Sequence, residues 1–511
     1  MRSLWPIKAQ SYRSGFLVSL VFNGIAKVLL FVLTVCIASI FGSNEKTDIY
    51  FFVYGTMILL SGLVSIIDIM VLVPESMRLR EKEGRAAATA FLNFFLRIYA
   101  LAGIIFVAVM YYFGTGIFGY FSRFPRPVIE AYGNYFIAGS FYFLLLVLTG
   151  YLNNILNSLR FFTIPMIISG LNSCMVIAGI FLLHRHFDVL SIFISGIIAF
   201  LISLVIQVSV MTKSAGWNFF TSKKPGTKGI GKNILYAEMG QLTTLASSFL
   251  PLFLLSGFGN GVISMMNYGK NVADIPSTLL TSQAANVSGI KLNEEAARGD
   301  GEAMNGTFIN VTEMLVFFLV PAGCYMFVFA RPIVELFYQH GNFNGPTIDS
   351  VARFLQLLSL TLFSIGVNSI VSRIFIAVQA LRSAFFYQLI MNLLLIGAIW
   401  GLTRAYGIYG YPYGVVLMNS LNFLFMYTIC RKLVPHIRYL RLMRFTGIIL
   451  CINGVLSAGL FLLFRASAMA VVPKLLLSFL LYLTALLTVT RLFRLTTVFT
   501  AFVKYVKERF E

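Results

Sequence analysis

The chain has 511 residues, 58% of them hydrophobic and only 11% charged, with a mean hydropathy of +0.85. Soluble domains carry about 25% charged residues, so this composition excludes a water-facing globular protein and leaves lipid as the solvent for most of the length. The formal net charge of +20 does not point to nucleic acid as a partner, because Lys and Arg fall mostly in short breaks between apolar runs, where they orient spans and meet membrane lipid head groups.

Taken in chain order, the apolar runs predict fourteen membrane-spanning helices and an all-α, polytopic membrane protein. Their cores lie near 16–42, 48–76, 87–113, 127–154, 162–184, 188–212, 233–257, 261–288, 305–338, 347–378, 383–404, 408–430, 444–464 and 473–490. The first run is too long for a cleaved signal segment and holds Lys27 near its middle, so it reads as a retained span. The residues after Arg491, with Arg494, Lys504, Lys507 and Arg509, read as a basic amphipathic tail on the membrane surface. An even number of spans puts both termini on one side. The cations concentrate in alternate breaks, around 78–85, 213–232 and 431–444, which predicts cytoplasmic termini.

A weak internal repeat is superimposed on this pattern. Tyr54-Gly55 in the second run matches Tyr268-Gly269 in the eighth, and Asn157-Ser158-Leu159-Arg160 resembles Gln379-Ala380-Leu381-Arg382. Each copy holds an even number of spans, so the copies share one orientation. The expected organisation is two parallel six-helix lobes, 1–215 and 216–434, followed by two extra helices and a basic cytoplasmic tail over 435–511. Two such lobes suggest a transporter.

Polar side chains inside apolar runs are expensive, about 2.5–3.5 kcal/mol for a charge at mid-bilayer, and mark cavities or partners. Ser19, Asn23 and Lys27 recur at every fourth position on one helical face, and Ser61, Ser65 and Asp68 share another. In the eighth run Asn267, Lys270, Asn271, Asp274, Thr278, Thr281 and Ser282 form a polar stripe. Lys270 and Asp274 either neutralise each other or serve a ligand. Asp48 is read as a helix-start carboxylate, Glu238 as an end-of-span or coupling group, and Arg373 as a cavity or snorkelling cation. The five cysteines form no CxxC pair and read as small buried hydrophobes. No phosphate-binding glycine loop, nucleophile elbow or paired acidic motif is present, so the sequence calls for no catalytic residues, metal or cofactor. It predicts no enzyme.

Four short pieces resemble the MurJ/MviN lipid II flippases of the multidrug/oligosaccharidyl-lipid/polysaccharide exporter superfamily. They are Ile40-Phe41-Gly42 with Thr47-Asp48, Arg160-Phe161-Phe162 with Ile164-Pro165, Tyr268-Gly269 leading to Ile275-Pro276, and Leu336 to Phe343. The resemblance implies a non-ATP-driven flippase in the bacterial inner membrane, carrying a polyprenyl-pyrophosphate-linked glycan for cell-envelope synthesis, with a coupling ion as a further candidate partner. It also implies a cationic cavity between lobes and a groove for the lipid tail on the two last helices. Lys27 falls on the family's first cavity cation, and Arg373 lies near another. Leu33, Ser61 and Asn271 fall where the family has arginines, with Lys270 beside the last. Asn23, Lys27, Ser61, Asn267, Lys270, Asn271 and Arg373 are therefore the candidate substrate contacts, and Asp48, Asp68, Glu238 and Asp274 the candidate coupling or structural charges. Fewer arginines keep open a flippase for O-antigen or exopolysaccharide precursors, and the acidic residues keep open a cation-coupled drug antiporter.

Overall fold

The computed structural model describes residues 12–221, 230–259, 261–343, 345–465, 467 and 469–492. All regular structure among them is helical. The first half contains α1 (Tyr12–Phe41), α2 (Glu45–Ile67), α3 (Val73–Glu83), α4 (Arg85–Phe121), α5 (Arg126–Ala131), α6 (Gly133–Ser158), α7 (Thr163–Phe187), α8 (Leu190–Ala215) and α9 (Ile230–Leu255). There follow α10 (Val262–Ala273), α11 (Ile275–Ala297), α12 (Gly301–Val328), α13 (Ala330–Tyr338), α14 (Gly345–Ser359) and α15 (Leu362–Ala377). The chain continues through α16 (Leu381–Tyr406), α17 (Gly410–Leu433), α18 (Tyr439–Arg465) and α19 (Val471–Leu492). The basic tail expected after Arg491 lies outside the described residues.

Among the described residues ten helical stretches are long and apolar enough to cross a membrane, or eleven if the α14–α15 pair, bent by 41°, is one span. Length and hydropathy alone do not reach the expected fourteen, but the elements are consistent with it. The 52-residue stretch Arg382–Leu433 counts once yet contains α16 and α17, packed on each other across a single 3-10 turn at Gly407–Tyr409. Helix α9 qualifies only as the shorter apolar piece Gln241–Leu255. Helix α10, with 12 residues, is too short to qualify, and α11, which carries the rest of the polar stripe, is not among the qualifying stretches either. Outward-facing side chains such as Leu182 and Val455 are left bare, 76% and 73% exposed, as suits a surface solvated by lipid.

Several boundaries differ from the expected ones for visible reasons. Helix α2 begins at a capping box: the Asn44 N–H donates to Thr47 Oγ1 at 2.9 Å, and the Thr47 N–H to Asn44 Oδ1 at 3.1 Å. It then runs through a π-helical turn at Asp68–Leu72 into α3 and stops at Gly84, whose φ of +88° suits glycine. The eighth run is two helices, because Pro276 starts α11. The ninth is α12 and α13, broken at Phe329.

By packing, the chain divides into Met1–Ser264 and Met265–Glu511. Helix α9 stays with the first unit because it packs on α2, so closely that a Cβ on Gly55 would sit 2.9 Å from Leu252 Cδ1. Within this unit Phe91, Tyr151, Leu156, Ile164, Met211 and Trp217 form a buried core. The second unit has its own core, in which Phe308, Leu315 and Ile374 meet Tyr439, Leu442 and Ile449 of α18. Helix α18 is tied further to α12 by Arg441 Nε donating to Glu313 Oε1 at 3.0 Å. The lobes 1–215 and 216–434 with 435–511 appended follow the repeat, and packing partitions the chain by a different criterion.

Two helix ends, one in each proposed copy, share a backbone geometry. Helix α6 ends with the Arg160 N–H on Asn157 O (3.1 Å) and the Phe161 N–H on Leu156 O (2.9 Å); α15 ends with the Gln379 N–H on Ile376 O (3.1 Å) and the Ala380 N–H on Phe375 O (3.0 Å). Both turns place a non-glycine residue in the left-handed region, Arg160 at φ 66° and Gln379 at φ 55°. The geometry therefore matches Arg160 with Gln379, three positions from the sequence pairing of Arg160 with Arg382.

Candidate functional site

In the second unit the polar stripe resolves into an outer line and an inner line. Lys270, Thr278, Ser282 and Asn286 are exposed, with Asp274 half-buried among them, and they recur at every fourth residue along one helical edge. The bend at Asp274 does not interrupt the line. The Asp274 N–H reaches Lys270 O at 2.8 Å, and the Thr278 N–H reaches Asp274 O at 2.9 Å. Asn267 and Asn271 are half-buried and Thr281 is buried, so these three face inward.

Two cations belong to this face. Lys270 stands within electrostatic reach of Tyr411 and Asp274, yet among the described residues no ion pair joins Lys270 to Asp274. At the far end Arg373 of α15 donates from Nη2 to Asn286 Oδ1 at 3.0 Å. Gly289, one turn on, makes room for that arginine: a Cβ there would lie 3.2 Å from Arg373 Cδ. Sixteen residues separate Lys270 from Asn286, about 24 Å of helix at 1.5 Å per residue. Lys270 and Arg373 therefore stand at opposite ends of the edge. Asn286 was missed, although it is the next member of the fourfold series.

In the first unit Lys27 is exposed on α1, beside Ile25 and Val28, which are also exposed. The side chain of Asn23 lies outside the described residues. Ser61 is half-buried and spends its hydroxyl on Ile58 O at 2.8 Å, within its own helix. Asp68 is 1% exposed and accepts from Tyr99 Oη at 2.8 Å and Asn154 Nδ2 at 3.2 Å. A Lys27–Asp68 partnership is not present among the described ion pairs. Glu238 on α9 is half-buried and also stands within electrostatic reach of Tyr99.

Asp48 is buried and occupied. It accepts from the Gly261 N–H at 2.7 Å, from the Ser264 N–H at 2.8 Å and from Ser264 Oγ at 2.7 Å. It therefore caps the start of α10, a placement that suits a carboxylate because a helix N-terminus has free N–H groups and a positive dipole end. Two of the family-like pieces also meet: Tyr268 packs against Tyr338 and Phe343 at ring distances of 5.4 and 5.6 Å. Among the described residues no group of three or more His, Cys, Asp or Glu could hold a metal ion.

Long apolar helices, one pair of them carrying a continuous edge of hydroxyls, amides and a few cations, define a polytopic membrane protein with a hydrogen-bonding edge. Comparison places it more narrowly. The family model described as lipid II flippase MurJ matches residues 37–499, and the chain belongs to that family. The lipid II flippase MurJ of Burkholderia cenocepacia is 23% identical over 47% of this chain and 48% of its own length. A probable lipid II flippase MurJ of Bdellovibrio bacteriovorus is 22% identical over 43% and 42%, so the matched segments span about half of these two relatives. A probable lipid II flippase MurJ of Buchnera aphidicola is 26% identical over 73% of this chain and 75% of its own length. In fold, the chain is similar to a solved lipid II flippase MurJ in an inward closed conformation, with a TM-score of 0.74 at 17% identity, covering 93% of this chain and 99% of the other. It is also similar to an inward-facing multidrug resistance transporter of the MATE family (TM-score 0.67, 14% identity, 83% and 99% coverage).

Proposed function

We propose that the protein flips lipid II, or a closely related polyprenyl-pyrophosphate-linked saccharide, across the bacterial inner membrane for cell-envelope synthesis. It moves its substrate without altering it and is not an enzyme. Both termini lie in the cytoplasm. The observation that carries this reading is the hydrogen-bonding edge Lys270–Asp274–Thr278–Ser282–Asn286, ending at Arg373, in a chain of the lipid II flippase family. Hydroxyls and amides suit a sugar-bearing head group. The cations at the two ends of the edge suit its pyrophosphate, engaged at one end and then the other, because about 24 Å is too far to bridge. Lys27 supplies a further cation on the first unit. Asp48 and Asp68 spend their oxygens on protein donors, which leaves Glu238 and Asp274 as the carboxylates to examine for ion coupling.

The test is flipping of fluorescent lipid II by the full-length protein in proteoliposomes. Lys27→Ala and Arg373→Ala should each reduce the flipping rate at least tenfold with the protein still monodisperse. Lys27→Arg should retain most of it, since the charge is kept. Wild-type rates in both alanine variants would overturn the reading. One observation favours a neighbouring substrate: Leu33, Ser61 and Asn271 are uncharged where the family resemblance expects arginine. Mass spectrometry of co-purified lipid separates lipid II from an O-antigen or exopolysaccharide precursor.

A further inference from the structure

A cavity of about 300 Å³ lies wholly inside the first unit, among α1, α2, α6, α7 and α8. One part of the lining is aromatic: Tyr50, Tyr54, Tyr142, Phe193 and Phe200. These rings brace one another, with Tyr50 stacked on Tyr54 at 5.6 Å and Tyr142 edge-on to Phe200 at 5.1 Å. A second part is polar and neutral, from Thr149, Asn153, Ser169, Asn172 and Ser173. Leu30 and Leu33 of α1 complete the wall. Asp, Glu, Lys, Arg and His are all absent from the lining residues.

Hydrogen bonds from α8 fix the direction of the two amides. Ser203 Oγ donates to Asn172 Oδ1, and Gln207 Nε2 donates to Asn153 Oδ1 at 2.8 Å and to Thr149 O at 3.0 Å. Both asparagine oxygens are thus engaged from behind. Among the described residues no acceptor takes either Nδ2, so the wall presents amide donors. Gln207 and Ser203 are both fully buried, and Gln207 keeps its Oε1 without a partner while its Nε2 is spent on Asn153 and Thr149.

The lining selects the ligand by exclusion. A phosphate or a metal ion would find no countercharge in the lining, which leaves its charge uncompensated. A prenyl or acyl chain would bury amides and hydroxyls against methylenes and leave them unpaired. Aromatic faces beside amide donors and hydroxyls suit a neutral ring with apolar C–H faces and oxygen acceptors at its edge. The volume sits at the lower end of small-molecule sites, enough for one ring and too small for an oligosaccharide. We propose that this cavity binds one neutral, pyranose-sized saccharide unit bearing hydroxyl and carbonyl oxygens. The flippase reading supplies the source of that sugar, the head group of the lipid-linked substrate; a free sugar has the same chemistry.

Gly150 provides the test. It lines the cavity, and a Cβ built on it meets no atom within 4 Å, so a larger side chain there grows into the empty space. The full-length protein in nanodiscs is examined by saturation-transfer NMR with methyl N-acetyl-glucosaminide as the probe. Wild type and Gly150→Ala should transfer saturation to the ring and acetyl protons. Gly150→Leu should abolish transfer, and Asn172→Ala should weaken binding about tenfold, the loss of one hydrogen bond. If Gly150→Leu does not fold, Asn172→Ala carries the result. No transfer from wild type, or transfer equal in wild type and Asn172→Ala, overturns the site. Flipping of lipid II is measured on the same preparations. Sugar transfer without flipping overturns the flippase reading and leaves the site; flipping without sugar transfer overturns the site alone.

Discussion

Asp48 and Asp68 are both buried carboxylates in α2 or at its end, and their partners give them different work. Asp48 satisfies two backbone N–H groups and a hydroxyl at the start of α10. Removing a buried partner costs about 1–3 kcal/mol for each orphaned group. Asp48→Ala should therefore lower the unfolding temperature of the purified protein by several degrees, and Asp48→Asn by less, because an amide oxygen still accepts. Asp68 is held by Tyr99 and Asn154, so Tyr99→Phe should destabilise measurably while Lys27→Ala should not. Gly289→Ala is the sharper probe of function: the new methyl presses on Arg373, and lipid flipping should fall more than thermal stability does. A rate unchanged from wild type would mean that Arg373 has no positional requirement. The sequence made Lys27, Lys270, Asp48 and Arg373 conspicuous, because a charge in an apolar run is costly. It could not show that Asp48 belongs to Ser264 or Arg373 to Asn286, since those contacts join distant parts of the chain that only folding brings together.

At the level of elements, the apolar runs located helices but passed over boundaries set by local chemistry. The capping box at Asn44 and Pro276 at the start of α11 act within a turn or two, whereas Gly42 with φ +69° closes α1 where the first run was expected to end. The breaks at Phe329 and Leu360–Thr361 lack such a signal. There, apolar composition continues through the interruption, and tertiary packing decides where the helix ends. The turns at Arg160 and Gln379 share one geometry, at a spacing three residues away from the sequence pairing of Arg160 with Arg382. A left-handed residue with a side chain costs roughly 1 kcal/mol more than glycine. Gln379→Gly relieves this strain and should leave stability equal or slightly raised, whereas Gln379→Val, β-branched in the same conformation, should lower the unfolding temperature. A higher unfolding temperature for the valine variant would contradict the geometry.

For the whole molecule, the all-α membrane class was fixed by composition, because too few charges are available to cover a water-facing surface. Reporter fusions after Arg85, Lys228 and Arg438 should all read cytoplasmic; one signal from the opposite side would break the alternation of spans. The status of the last helices is less evident from sequence, where 435–511 looks like an appendage to a repeat. Packing makes α18 part of a core: Tyr439, Leu442 and Ile449 are buried with Phe308 and Leu315. Helix α19 is held by Tyr482, which donates to Pro321 O at 3.2 Å and Asn453 Oδ1 at 2.7 Å. Truncation before Leu442 should therefore reduce the amount of folded protein, and truncation before Val471 should be milder. On the proposed flippase reading, the edge from Lys270 to Asn286 bears on speed as well as on affinity. Its polar groups are spaced every four residues, about 6 Å along the axis, so a sugar passing along them can form a new contact before surrendering the last one. Each advance then exchanges roughly one hydrogen bond at a net cost near 1 kcal/mol, and the edge behaves as a low-friction track with no deep resting place. Two adjacent rungs removed together, Thr278→Val with Ser282→Ala, should slow passage by more than the product of the single effects, because the gap then exceeds the reach of one contact.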